Sequence, residues 1–261
     1  MKRKTAIRSL LGGVAGMAIT GSARSAIRES NEPFAMKGNI NHSVCSWTYS
    51  FLPLDELCIT AKKLGLKAID LLPPKDWPVL QKHGLTCSMC YTAGKISLTQ
   101  GWNDPRNHDS LIRDFTEAIP LVAQAGYKNL ICFSGNRNGM DDATGLDHCA
   151  EGLKRIMPLA EQHKVVIQME LFNSKVDHKD YMCDKSAWGV ALCRKIGSEN
   201  FKLLYDIYHM QINEGDVIRT IRNHHSYFGH YHTAGVPGRN DIDDMQELYY
   251  PAIMRTIYST E

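Results

Sequence analysis

The sequence predicts an α/β fold whose parallel strands close into a (β/α)8 barrel, with seven of the eight units legible. Three observations carry this. From about residue 40, short apolar runs alternate strictly with amphipathic stretches, which implies a parallel sheet with right-handed crossovers. No glycine-rich phosphate-binding segment follows the first run, so the usual nucleotide signature of an open, doubly wound sheet is absent. Polar residues gather after nearly every run, as happens when all strand ends open on one mouth.

The expected strands span residues 40–47, 67–72, 85–92, 128–133, 165–171, 201–206 and 226–232; each is short, apolar and partly β-branched or aromatic. The helix over 54–64 keeps apolar residues at helical spacing. The helix over 110–125 follows Asp109 as a cap, carries Ile112, Phe115, Ile119 and Val122 on one side, and stops at Gly126. Further helices are expected over 148–163, 186–196, 216–223 and 243–258. The 261 residues suit one barrel domain, over 40–261, with no low-complexity segment. No eighth strand is legible before Glu261.

Residues 1–25 read as an export signal instead of fold. They have a basic start, a small and apolar stretch from Leu10 to Thr20, and small residues at Ala23 and Ser25 where a signal peptidase cuts. Arg3 and Lys4 make the start similar to a twin-arginine signal. The apolar run falls short of the roughly 20 residues a spanning helix needs. The expectation is an exported, periplasmic protein with no stable membrane insertion after processing.

The formal net charge is +2, but five basic residues and no acid lie in the signal; the remainder has 25 basic against 28 acidic residues, net −3. A mildly acidic chain without a basic cluster argues against nucleic acid as partner. Eight cysteines would suit disulfides in an exported protein. Yet Cys45, Cys87, Cys90 and Cys132 fall in apparent strands, and Cys58, Cys149 and Cys193 in apparent helices. Cys87 and Cys90 have CxxC spacing, but residues three apart on a strand point to opposite faces. Buried, unpaired cysteines are therefore expected.

Three polar residues end successive apolar runs: Glu170 in VVIQMELFNSK, Asp206 in LLYDIYHMQ and His232 in GHYHTAGVPGR. In a barrel strand alternate residues face inward. Val166, Gln168 and Glu170 then share a face, as do Lys202, Leu204 and Asp206, and Phe228, His230 and His232. With the last of each set inward, Glu170, Asp206 and His232 converge as ligands of one divalent metal ion. Two carboxylates and one imidazole suit Mn²⁺ or Mg²⁺, and also admit Zn²⁺ or Co²⁺. His209, three residues beyond Asp206, is placed to donate to a substrate oxygen or to orient the carboxylate. Arg239, after the turn-rich Gly235–Gly238 segment, can hold a carboxylate or phosphate, and Arg137 after strand four is a further substrate-binding candidate. Trp47 and Tyr91, at the ends of strands one and three, can wall the pocket. Asp70 ends strand two without a partner histidine, and Cys45 and Ser46 end strand one.

MELFNSKVDH, YDIYHMQ and GHYHTAGVPGR, supported by ELYYP at 247–251, together resemble the hydroxypyruvate isomerase group of xylose isomerase-like TIM barrels. The resemblance covers roughly 41–261. It implies that Glu170, Asp206 and His232 are metal ligands and that Glu170 is also the catalytic acid/base. His232 is more like the related sugar epimerases, since glutamine often stands there in hydroxypyruvate isomerases. The family's fourth ligand, a glutamate on the eighth strand and second member of the acid/base pair, has no counterpart here. The resemblance thus implies either an incomplete chain or a site short of that group.

The implied activity is a metal-dependent aldose–ketose isomerisation of a small hydroxycarbonyl compound or sugar, by proton transfer through an enediolate. Three alternatives stand beside it: a sugar epimerase, a noncatalytic carbohydrate-binding barrel, and a metal-dependent hydrolase or lyase of the same superfold. The hydrolase or lyase needs extra histidine and carboxylate ligands that the earlier strand ends do not supply. Homo-oligomers fit any of these.

Overall fold

Seven parallel strands lie side by side in chain order in the computed structural model, which describes residues 40–94 and 97–260. The expected export segment lies outside the described residues. Strands β1 (Ser43–Cys45), β2 (Ala68–Asp70) and β3 (Thr86–Cys87) form one ladder; β4 (Asn129–Cys132), β5 (Val166–Glu170), β6 (Phe201–Asp206) and β7 (Phe228–His232) form another. Cys90 joins the two: its N–H donates to Asn129 O at 2.9 Å, and its carbonyl accepts from Ile131 N–H at 3.1 Å. The α/β barrel is therefore the observed architecture, and every strand pair in the two ladders is parallel, as strict alternation demands.

The strands are shorter than their apolar runs. Leu85–Thr92 shrinks to two residues of ladder plus the Cys90 bridge. Strands β4 to β6 are buried on both faces, which explains their near-continuous apolar character: Leu130, Ile167, Met169, Leu203, Leu204 and Tyr205 are all inaccessible to solvent or nearly so.

The helices follow α1 (Leu54–Lys63), α2 (Trp77–Lys82), α3 (His108–Gln124), α4 (Asp142–Lys154), α5 (Met157–His163), α6 (Ser186–Ile196), α7 (Ile207–Asn213), α8 (Val217–His224) and α9 (Tyr250–Tyr258). In α3, Phe115, Ile119 and Val122 form the buried stripe, and Gly126 follows the end at φ 75°. Asn107, not Asp109, precedes its first turn. The single helix expected over 148–163 is two helices. Pro158 has no N–H to donate and its ring would crowd the carbonyl of Lys154, so α4 stops there and Pro158 sits in the first turn of α5. The helix expected over 243–258 starts only at Tyr250, with Pro251 in its first turn, where proline is tolerated. Helices α2 and α7 have no counterpart in the sequence reading.

Strand β7 departs from simple alternation. Leu203 pairs with Phe228 but Leu204 pairs with His230, so Gly229 is an extra residue, a β-bulge. A Cβ on Gly229 would lie 2.9 Å from the Gln168 side chain, which leaves room only for glycine. The bulge reverses the parity of the strand. Phe228 does not share a face with His230 and His232; its ring stacks on Tyr205 at 4.5 Å and meets Tyr231.

All eight cysteines are unpaired, and all but half-buried Cys45 are buried. No helix among the described residues is long and apolar enough to cross a membrane.

Candidate metal and substrate site

Asp206 occupies two structural roles at once. It is the last residue of β6 and the cap of α7, where its Oδ1 accepts the His209 backbone N–H at 3.1 Å. The other oxygen, Oδ2, turns to the mouth of the barrel. Glu170 ends β5, and its carbonyl accepts from the Tyr181 hydroxyl at 3.0 Å. The same hydroxyl accepts the Ser134 N–H at 3.0 Å, tying the mouth ends of β4 and β5 together. His232 ends β7 opposite Asp206 in register.

These three side chains meet. Glu170 Oε1 lies 3.0 Å from His232 Nδ1, and Asp206 Oδ2 lies 3.9 Å from that nitrogen. One ligand atom from each falls within 4.8 Å of the others, and all three residues are buried. They line a cavity of about 1000 Å³ together with Trp47, Tyr91, His178 and Arg239.

Burial pushes the Glu170 carboxyl above its usual range, and the Asp206 charge adds to this while His232 opposes it. Burial also works against charge on Asp206, but the His209 ring, the Arg239 guanidinium and His232 outweigh it and hold its pKa low. For His232, burial disfavours the cation, yet hydrogen bonds to Asp70, Cys45 and Glu170 raise its pKa well above the ordinary imidazole value. Two buried acids and an imidazole facing one cavity form a donor set that fits a divalent ion, since buried carboxylates of this density need a positive partner.

Arg239 belongs to the site. Its backbone stands at φ 58°, in the left-handed region, after the close approach of Gly235 to Asp241 O, which excludes a Cβ at 235. From there Nη2 donates to Asp206 Oδ2 at 2.7 Å and to His209 Nε2 at 2.8 Å, while the guanidinium stacks over Tyr208 and Trp47. Trp47 stands beyond β1, on a 3-10 turn at 46–49, with half its surface exposed at the cavity rim.

His209 and Arg137 do not line the cavity. His209 is fully buried, with Nδ1 2.6 Å from the Asn173 amide. Burial lowers its pKa to about 4, so it stands as a neutral prop behind Asp206 and Arg239. Arg137 is spent on structure: it pairs with Asp142, with Asp184 at 3.1 Å, and donates to Met182 O at 3.1 Å, tying the loop after β4 to the loop after β5.

Asp70 corrects the sequence reading more sharply. It has two histidine partners, both on β7: His230 Nε2 donates to Oδ2 at 2.7 Å and His232 Nε2 lies 3.2 Å from the same oxygen. His178, stacked on Phe172 at 4.1 Å, is a cavity residue that the sequence reading leaves out. Its motif, KVDH, marks the segment, but nothing local to it marks the ring's direction.

The model of the xylose isomerase-like TIM barrel family matches residues 60–258. The 2-oxo-tetronate isomerase of Cupriavidus necator is 34% identical over 93 residues, 36% of this chain and 35% of that one, so the chain spans about a third of that relative's length. A Mus musculus protein named for hydroxypyruvate isomerase is 26% identical over 234 residues, 81% of this chain and 82% of that one. Among solved structures, an AP endonuclease, family 2, from Brucella melitensis superimposes with a TM-score of 0.74 at 21% identity, covering 84% of this chain and 89% of that one, which speaks to fold alone. With three-quarters of its length matched and the seven staves in place, the chain belongs to the xylose isomerase-like TIM barrel family.

Proposed function

We propose that this protein is a divalent-metal-dependent aldose–ketose isomerase acting on small hydroxycarbonyl compounds or sugars. The observation that carries the reading is Glu170: a buried carboxylate of raised pKa, beside Asp206 and His232, open to a cavity large enough for such a substrate. The names of the relatives support the substrate class. Glu170, Asp206 and His232 would hold the ion. When bound, the ion withdraws charge from the substrate's oxygens and makes the adjacent C–H more acidic.

The chain's own groups do the rest. Glu170 is the base: it takes the proton from the carbon beside the carbonyl and returns it to the neighbouring carbon. Burial, which raises its pKa, makes the carboxylate a stronger base than an exposed glutamate. Arg239 offers its guanidinium to a substrate carboxylate or hydroxyl, and His209 holds Arg239 and Asp206 in place. Trp47 and Tyr91 shut out water on the β1 and β3 sides of the cavity.

Of the cavity carboxylates, Asp206 is held by Arg239 and Asp70 by His230 and His232, whereas Glu170 has His232 alone upon it, which leaves it the freest of the three to exchange a proton. The export reading of residues 1–25 is part of the same proposal and places the reaction outside the cytoplasm.

The test is a substrate panel with Mn²⁺-loaded protein in deuterated water. Hydroxypyruvate is expected to interconvert with its aldehyde isomer and 2-oxo-tetronate with its 3-oxo isomer, each taking up deuterium beside the carbonyl. Sugars bound without exchange or conversion would replace the isomerase with a binding barrel.

A further inference from the structure

The His232 ring faces carboxylates at both of its edges. Nδ1 looks toward Glu170 and Asp206, and Nε2 toward Asp70. We infer that Asp70 is a positioning residue for the metal centre: by accepting the Nε2–H of His232 it fixes the tautomer and ring angle that present Nδ1 to the ion. This rests on the metal reading above and goes beyond it, since Asp70 is itself no ligand.

The argument is one of proton inventory. A neutral imidazole has one N–H and one lone pair, and its partners decide which nitrogen has which. An ionised carboxylate only accepts. Asp70 therefore requires the proton on Nε2, which leaves Nδ1 as the donor atom on the side of Glu170 and Asp206. A carboxylate behind a ligating histidine also raises the basicity of the ring and stops it rotating.

Asp70 is built for this task. It is almost wholly buried at the end of β2 and clamped from three directions. Oδ2 takes His230 Nε2–H at 2.7 Å as well as His232, and Oδ1 takes the Ser88 hydroxyl. The His230 and His232 rings stand nearly perpendicular, 5.3 Å apart, so one oxygen serves both. Swinging Asp70 into the centre as a ligand would abandon His230 and Ser88 together. The rival arrangement is a second ion held by Cys45, Asp70 and His232, whose ligand atoms also lie within 4.8 Å. It would need Nε2 stripped of its proton while Nδ1 serves the first ion, so that one ring carries two metals.

The experiment compares the full chain with Asp70→Ala and Asp70→Asn. Mn²⁺ affinity and stoichiometry are read by titration, thermal unfolding of the metal-free forms by circular dichroism, and the His232 ring by ¹⁵N–¹H NMR of Zn²⁺-loaded, ¹⁵N-histidine protein. The wild type is expected to bind one equivalent and to show a slowly exchanging Nε2–H with Nδ1 metal-bound. Asp70→Ala should lose that proton signal and bind Mn²⁺ about ten- to a hundredfold more weakly. Asp70→Asn keeps an acceptor oxygen of the same shape, so it should fold, recover the Nε2–H and bind with intermediate affinity. Unchanged affinity and an unchanged Nε2–H in both variants overturns this inference alone, as does a Zn²⁺-ligated Nε2 or a second equivalent that vanishes with Asp70. A wild type that binds no divalent ion overturns the metal reading and this inference with it.

Discussion

Arg239 donates from Nη2 to Asp206 Oδ2 at 2.7 Å, across 33 residues of sequence and from a backbone position with φ 58°. A loop arginine thus rests on a carboxylate that also faces the centre. Replacing it by alanine removes both a counter-charge for Asp206 and a handle for anionic substrates. Charge-assisted hydrogen bonds contribute about 1.5–3 kcal/mol, so Arg239→Ala should raise KM for a carboxylate-bearing substrate such as hydroxypyruvate by roughly ten- to a hundredfold. A neutral sugar should be affected less, and steady-state kinetics on the two substrates measures the difference.

Glu170 is predicted to be the proton carrier. Glu170→Gln keeps the volume and one oxygen but cannot take the proton. It should lower kcat by about 10²–10⁴ and abolish deuterium uptake. Metal binding should weaken as well, because an amide oxygen is a poorer donor for a divalent ion than a carboxylate. Deuterium exchange followed by NMR, alongside a Mn²⁺ titration, separates the two effects.

Acid should destabilise the metal-free protein in a window set by His209. Its folded pKa is lowered to about 4 from an ordinary 6.5. Above about pH 6.5 neither state protonates His209, so its contribution is flat, whereas His232 and Glu170, whose folded pKa values are raised, lose stabilisation as pH rises. As pH falls the unfolded chain protonates first, and stability drops until the folded ring protonates near pH 4, by on the order of 3 kcal/mol. His178, lowered by burial, acts in the same direction. The contributions of Asp70 and Asp206, whose folded pKa values are lowered, start to fail only as pH approaches the ordinary aspartate value of 3.8. Unfolding in denaturant at several pH values should show the slope, and His209→Gln should flatten it between pH 6.5 and 4.

Arg137 should matter for stability and not for catalysis. Arg137→Ala leaves the nearly buried Asp184 without its guanidinium and unties two loops, at about 1–3 kcal/mol. A thermal midpoint several degrees lower with KM unchanged is the expected result; a raised KM with an unchanged midpoint would make it a substrate group after all.

How legible the site was from sequence depends on how local its causes are. Glu170, Asp206 and His232 each close an apolar run, and a period of two residues carries them to one mouth. Trp47 and Arg239 lie in the short segments that follow strand ends, so position alone brings them to the rim. Asp70 also ends a strand, but its role is not marked there. Its histidine partners stand 160 and 162 residues away, and their meeting depends on strands β1, β2 and β7 curving toward one another. Arg137 has the same difficulty: its partner Asp184 is 47 residues on, beyond a loop. Helix α7 is hidden because Asp206 ends a strand and caps a helix with no residue between them, leaving no gap in the pattern. The break at Pro158 was the reverse case, visible in the sequence but overridden by the apolar periodicity on either side.

The extra residue at Gly229 has a consequence for how β7 can change over generations. Its parity is shared between two customers: Phe228 stacked on Tyr205 before the bulge, and the two imidazoles after it. Losing a single codon there would force one of them to the wrong side, either pulling an aromatic ring off its stack or turning both histidines away from their carboxylates. Substitutions along β7 can be absorbed one at a time, but a change in its length cannot, so insertions and deletions in this lineage should accumulate in the flanking turns and spare the stave itself.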